Sequence, residues 1–134
     1  MRLTNTVPAG ALIEEALVDI TELGSHTTPT IDGFDWAGSV QPNFSDNRKP
    51  CWPFLDLAIR PTALANVFLQ YAVPTFPIAE PPVLTFTTFM TLGVAGATWG
   101  SLSVRLTARF SRIVIVDLSG GGNSAYFSLF VRSN

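Results

Sequence analysis

A chain of 134 residues makes one domain, able to bury roughly two thirds of its unfolded surface, and leaves no room for a second. Charged residues are only 13% of it against a usual share of about 25%, while Phe contributes 10 residues and the mean hydropathy is +0.33. A net charge of −2 with Lys49 as the one lysine argues against a nucleic-acid partner, and apolar runs of only a few residues argue against a membrane span.

So few charges imply apolar surface left over after folding. That surface marks either an assembly or an unusually large core. Charge is also unevenly placed: Glu14, Glu15, Asp19, Glu22, Asp32, Asp35 and Asp46 face Arg2 alone in residues 1–47, whereas Arg105, Arg109, Arg112 and Arg132 face Asp117 in residues 101–134. An acidic front and a basic back suit an N-terminal arm lying on its own sheet or a neighbour's, or simply two solvated faces.

Residues 1–10 read as an extended arm without the apolar centre of a secretory signal. In the next segment Leu12, Ile13, Ala16, Leu17 and Ile20 fit a helical stripe, while Ala16, Val18 and Ile20 fit a strand; an extended form is preferred. Gly24 to Thr30 breaks regular structure. From Ile31 to Pro53 the chain is loop-like and aromatic, with Trp36, Phe44 and Trp52, and loops this long usually bind something or pack on a partner.

Phe54 to Arg60 alternates as a strand, and Asn66 to Val73 is apolar on both sides, as a central strand would be. Pro74 to Pro82, which includes Phe76, is a proline-stiffened bridge. Val83 to Leu92 is a strand rich in Thr and aromatics, and Gly93 to Gly100, with Trp99, is a turn. Leu102 to Phe110 alternates without a break; Ile113 to Val116 is short and β-branched, as if covered on both faces; Ala125 to Arg132 is the last strand. Short connections predict that these last three pair antiparallel as a meander, with Ser119 to Ser124 a flexible hairpin loop. Six or seven strands separated by turn signals predict an all-β fold, a single antiparallel β-sandwich.

No residue set announces chemistry. His26 is the only histidine and Cys51 the only cysteine, so neither a spaced metal set nor a nucleophile with a basic partner is visible. Cys51 reads as a small buried side chain beside Trp52. Asp32 and Asp35 around Gly33 lack the alternating oxygens and closing glutamate of a calcium loop, and the glycine run at 120–122 precedes a strand, so no helix N-terminus could hold a phosphate there. Neither catalytic, cofactor-binding nor metal-binding residues are assigned, and no enzyme activity is expected.

Phe54-Leu55-Asp56-Leu57-Ala58-Ile59-Arg60-Pro61-Thr62, the strand Asn66 to Pro74, and Arg112-Ile113-Val114-Ile115-Val116-Asp117-Leu118-Ser119-Gly120 followed by Asn123 and a last apolar strand resemble the small jelly-roll-like virion proteins of tailed bacteriophages. The likeness is one of pattern over roughly residues 54–134. It implies a jelly-roll-like sandwich, while the order of elements divides the chain into an N-terminal arm at 1–30 and a sandwich domain with long loops at 31–134. It further implies a capsid decoration or accessory protein without an active site, docked as a homo-oligomer, a trimer in that family, on the major capsid protein or other virion proteins. The site of action is then the virion, after synthesis in the host cytoplasm without a signal peptide. Trp36, Phe44, Trp52, Phe76 and Trp99 are the candidate interface residues. A rival reading is a carbohydrate-binding or receptor-binding sandwich of a phage fibre or spike, with Trp36, Trp52 and Trp99 stacking on sugars; a small hydrolase ranks last.

Overall fold

The computed structural model describes residues 11–20, 24–33, 53–74, 83–120 and 122–132. Among them there is no helix, and the strands are β1 (Ala11–Asp19), β2 (Ser25–Thr27), β3 (Ile31–Asp32), β4 (Phe54–Pro61), β5 (Ala65–Pro74), β6 (Leu84–Val94), β7 (Gly100–Arg105), β8 (Phe110–Asp117) and β9 (Ser124–Arg132). The first sheet has the order β1-β9-β4-β7; the second has β2-β8-β5-β6, with β3 also pairing β8. All pairs are antiparallel.

The pairing is nested. β1 pairs β9, β2 and β3 pair β8, β4 pairs β7, and β5 pairs β6, so the chain is one antiparallel ribbon with its tip between β5 and β6. Successive segments of that ribbon alternate between the sheets, which is the winding of a jelly roll. The expected antiparallel sandwich is the observed one.

The alternation of side chains decides which faces meet. Leu55, Leu57 and Ile59 on β4 and Ala125, Phe127, Leu129 and Val131 on β9 point inward from the first sheet. Ala65, Val67 and Leu69 on β5 and Ile113 and Ile115 on β8 answer from the second. Each large side chain removed from water here stabilises the fold by roughly 1.5–3 kcal/mol. The central position expected for β5 is confirmed, since it lies between β8 and β6.

The expected C-terminal meander is not what forms. β7 pairs β4, β8 pairs β5, and β9 pairs β1 and β4, so the chain changes sheet after β7 and again after β8. Short connections forbid parallel pairing within one sheet, but they equally permit a step across the sandwich. The apparent single strand Leu102 to Phe110 is interrupted at residues 106–109, where Leu106 stays buried and the inward set shifts from even to odd numbers. On β8, Ile113 and Ile115 are buried while Val114 and Val116 are only half-buried, so it is not covered equally on both faces.

Of the stretch 1–30 read as an arm, β1 is an edge strand of the first sheet and β2 pairs in the second, while residues 1–10 and 21–23 lie outside the described residues. A β-bulge between Leu12 and Glu14 explains the mixed helical and strand spacing of this segment, because one extra residue shifts the alternation. The bulge leaves Glu14 opposite inward-facing Leu129. His26, expected in a turn, is instead on β2; its Nε2 donates to Glu14 Oε1 at 3.0 Å and its ring leans on Phe127 at 5.4 Å. This pair clasps the two sheets along one side.

The connection between β8 and β9 is a crossing rather than a hairpin, and a buried amide holds it. Asn123 Oδ1 accepts the Ala63 N–H (3.0 Å), while Nδ2 donates to the carbonyls of Ala63 and Leu64 (both 3.1 Å) and to Asp117 Oδ1 (2.9 Å). Hydrogen bonds from the Ser119 hydroxyl, then from Asn123, hold the Asp117 carboxyl below its ordinary range.

Phe127→Ala should lower the unfolding free energy by about 3–5 kcal/mol in urea titrations, since it deletes a fully buried ring; Asn123→Ala should cost on the order of 1–3 kcal/mol by orphaning backbone groups. The contribution of Asp117 should be complete above the ordinary carboxylate pKa and fade as pH falls through its lower folded value, so Asp117→Asn should flatten the acid limb of stability against pH.

Candidate interaction surface

The cross-strand registers lay the outer face of the first sheet out in rows. One row holds Arg60 of β4, Tyr126 of β9 and Leu17 of β1; the next holds Ser101, Ala58, Ser128 and Glu15; the third holds Ser103, Asp56, Phe130 and Leu12; the last holds Arg105, Phe54 and Arg132. Of the large apolar side chains exposed among the described residues, Leu12, Leu17, Trp99, Tyr126 and Phe130 belong to this one face. The small middle row splits it into two halves.

The half around Leu12 and Phe130 has its charges internally paired. Arg132 Nε donates to Asp56 Oδ2, the Ser103 hydroxyl donates to Asp56 Oδ1 at 2.6 Å, and Arg105 and Arg132 both lie 4.5 Å from the centre of the Phe54 ring. An ion that is already paired and hydrogen-bonded costs less to cover than a lone one. This half is suited to a dry contact.

The half around Trp99 is a shallow groove of about 270 Å³ lined by Leu17, Arg60, Pro61, Thr62, Ala97, Ser124 and Tyr126. Trp99 is 58% exposed and meets Tyr126 edge to face at 6.0 Å. The floor is hydrogen-bonded backbone: Thr62 N–H donates to Ser124 O (2.8 Å), Ser124 N–H to Thr62 Oγ1 (2.9 Å) and Ala97 N–H to Pro61 O (2.7 Å). Ala97 holds φ at 60°, a region that costs a non-glycine residue of order 1–3 kcal/mol. Close packing fixes that turn, because a Cβ on the neighbouring Gly96 would meet Ala63 Cα and Thr62 O at 2.8 Å. The Tyr126 hydroxyl donates to Glu15 Oε2 at 3.1 Å, and that carboxylate raises the phenol above its ordinary pKa, so it remains a donor through the neutral range.

Trp99 is thus placed on this face, and Trp36, Phe44, Trp52 and Phe76 lie outside the described residues, as does Cys51. The described flanks of the aromatic loop, Gly33 and Pro53, are tied to the connection between β7 and β8: Gly33 N–H donates to Arg109 O (2.6 Å), Leu106 N–H donates to Pro53 O (2.9 Å), and Arg109 grips Asp32 through two hydrogen bonds of 2.9 Å. Asp32 therefore faces a guanidinium. Among the described residues no group of His, Cys, Asp or Glu is arranged to hold a metal ion. A second hollow, about 460 Å³, is lined by Tyr71, Thr85, Thr87, Thr88 and Phe89 at the tip end of the ribbon.

Sequence reasoning passed over Leu12, Leu17, Arg60, Tyr126 and Phe130. The signal was present in β9, where Tyr126, Ser128 and Phe130 alternate with the buried Phe127, Leu129 and Val131; reading the run only as apolar merged the two faces.

No protein-family model matches the chain, and no curated protein sequence matches it. Among solved structures, the chain is similar to the PBSX exported protein XepA, with a TM-score of 0.55 and 13% identity over 93% of its own length, and to PirA, with a TM-score of 0.47 and 11% identity over 99% of its own length and 100% of PirA. The chain spans 36% of the length of XepA. At such identity the likeness to XepA is one of fold: this sandwich has the architecture of part of that protein.

Proposed function

We propose that this chain is a structural virion protein, a capsid decoration or accessory protein that docks on a viral shell as a homo-oligomer, a trimer, and carries out no catalysis. The observation that carries the reading is the Leu12 and Phe130 half of the first sheet, an exposed apolar patch whose neighbouring ions are already paired. Covering each such side chain contributes roughly 1.5–3 kcal/mol. A few of them per copy make a modest contact, and several copies joined together make a strong one. The fold likeness to XepA, a phage protein, supports a phage-related setting. The major capsid protein is the expected partner and the virion the expected location.

Light scattering coupled to size exclusion should give a mass that is a multiple of 14.5 kDa, and Phe130→Asp should return it to the single-chain value with the β-sheet circular dichroism unchanged. Gold-labelled antibody to the chain should decorate virion surfaces in electron micrographs. A single-chain mass at all concentrations, together with unlabelled particles, would overturn the reading.

A further inference from the structure

We propose that the groove beside Trp99 is a binding site for a neutral saccharide, with one pyranose ring resting on the aromatic pair and its hydroxyls held by Arg60 and Glu15. This goes beyond the docking role, which uses the other half of the same face.

The groove and a pyranose ring are chemical complements. A pyranose ring presents a face of C–H groups that packs on an aromatic surface, and a rim of hydroxyls, each both donor and acceptor. Trp99 offers an exposed indole braced edge-on by Tyr126. Arg60 sits directly across from Tyr126 in the register, is exposed, and its side chain makes no hydrogen bond or ion pair with any described residue, so its fixed fork of donors is available. Glu15, one row away on β1, is an exposed acceptor already oriented by the Tyr126 hydroxyl. A purely apolar half would suit a protein surface, and a purely basic one an acidic ligand. Here a donor and an acceptor of opposite charge flank an aromatic platform, which suits a ligand that is uncharged and rich in hydroxyls.

The groove is also ready-made. Its floor is three backbone-anchored hydrogen bonds between the turns after β4 and β6 and the start of β9, so little ordering is needed on binding. At about 270 Å³ it lies just under the roughly 300–1,000 Å³ of drug-sized pockets, which suits a single ring of a longer chain.

The full chain should be tested on a glycan array carrying neutral hexose and N-acetylhexosamine oligosaccharides alongside sialylated and uronic ones. Retained neutral glycans should then be titrated in solution by calorimetry. Binding to neutral glycans should weaken at least about tenfold in Trp99→Ala and in Arg60→Ala, while Phe130→Asp retains it per chain. Because Trp99 and Arg60 are both exposed, their variants should keep the wild-type circular dichroism, and Trp99→Phe should recover part of the affinity. Three outcomes would overturn the assignment: no glycan retained, retention confined to acidic glycans and abolished by salt, or neutral binding indifferent to both substitutions.

Discussion

Two sheets with one dry face each can be stable in water only against each other, and everything else in this molecule is arranged around that contact. β4 and β9 carry one dry face, β5 and β8 the other, and the aliphatic side chains between them leave a core whose main aromatic filler is Phe127. Because the chain is a folded ribbon, each winding must add a segment to the sheet opposite the last. Among the described residues the connections consequently collect at the two ends of the sandwich, and the outer faces are left as broad surfaces on offer.

Every crossing between sheets interrupts a ladder and leaves backbone groups without strand partners, which must be satisfied in another way. Several of the polar side chains that are buried or paired sit at those places or at the sheet edges. Asn123 satisfies the turn after β4 from the crossing between β8 and β9; Arg109 and Asp32 join β3 to the crossing between β7 and β8; His26 and Glu14 bridge the edges of the two sheets. These groups would look like candidates for chemistry if only their types were considered. Their geometry assigns them to holding the winding in place.

The outer face of the first sheet combines two kinds of surface within one set of registers. Around Phe130 the ions are paired with each other and the apolar side chains stand ready for a dry contact; around Trp99 a donor and an acceptor remain open beside an aromatic platform. Copies held together through the first half would present several of the second. A shallow groove with weak affinity for one sugar ring gains most from such repetition, since linked sites act at high effective concentration.

The strand content, the sandwich class and the inward residues of β4 and β7 were legible in the residue order, because a strand with one dry face writes its alternation directly into the sequence. The ambiguity of residues 12–20 arose where a bulge breaks that alternation, and the misplaced meander arose because alternation records inward and outward but never which sheet. Both sheets share one core, so a strand reads the same in either. Only long-range pairing, through backbone hydrogen bonds between segments as distant as β1 and β9, decided that β7, β8 and β9 separate and that Trp99, Tyr126, Arg60 and Glu15 come together. Those residues converge from three strands and the turn before β7, and no local period relates them.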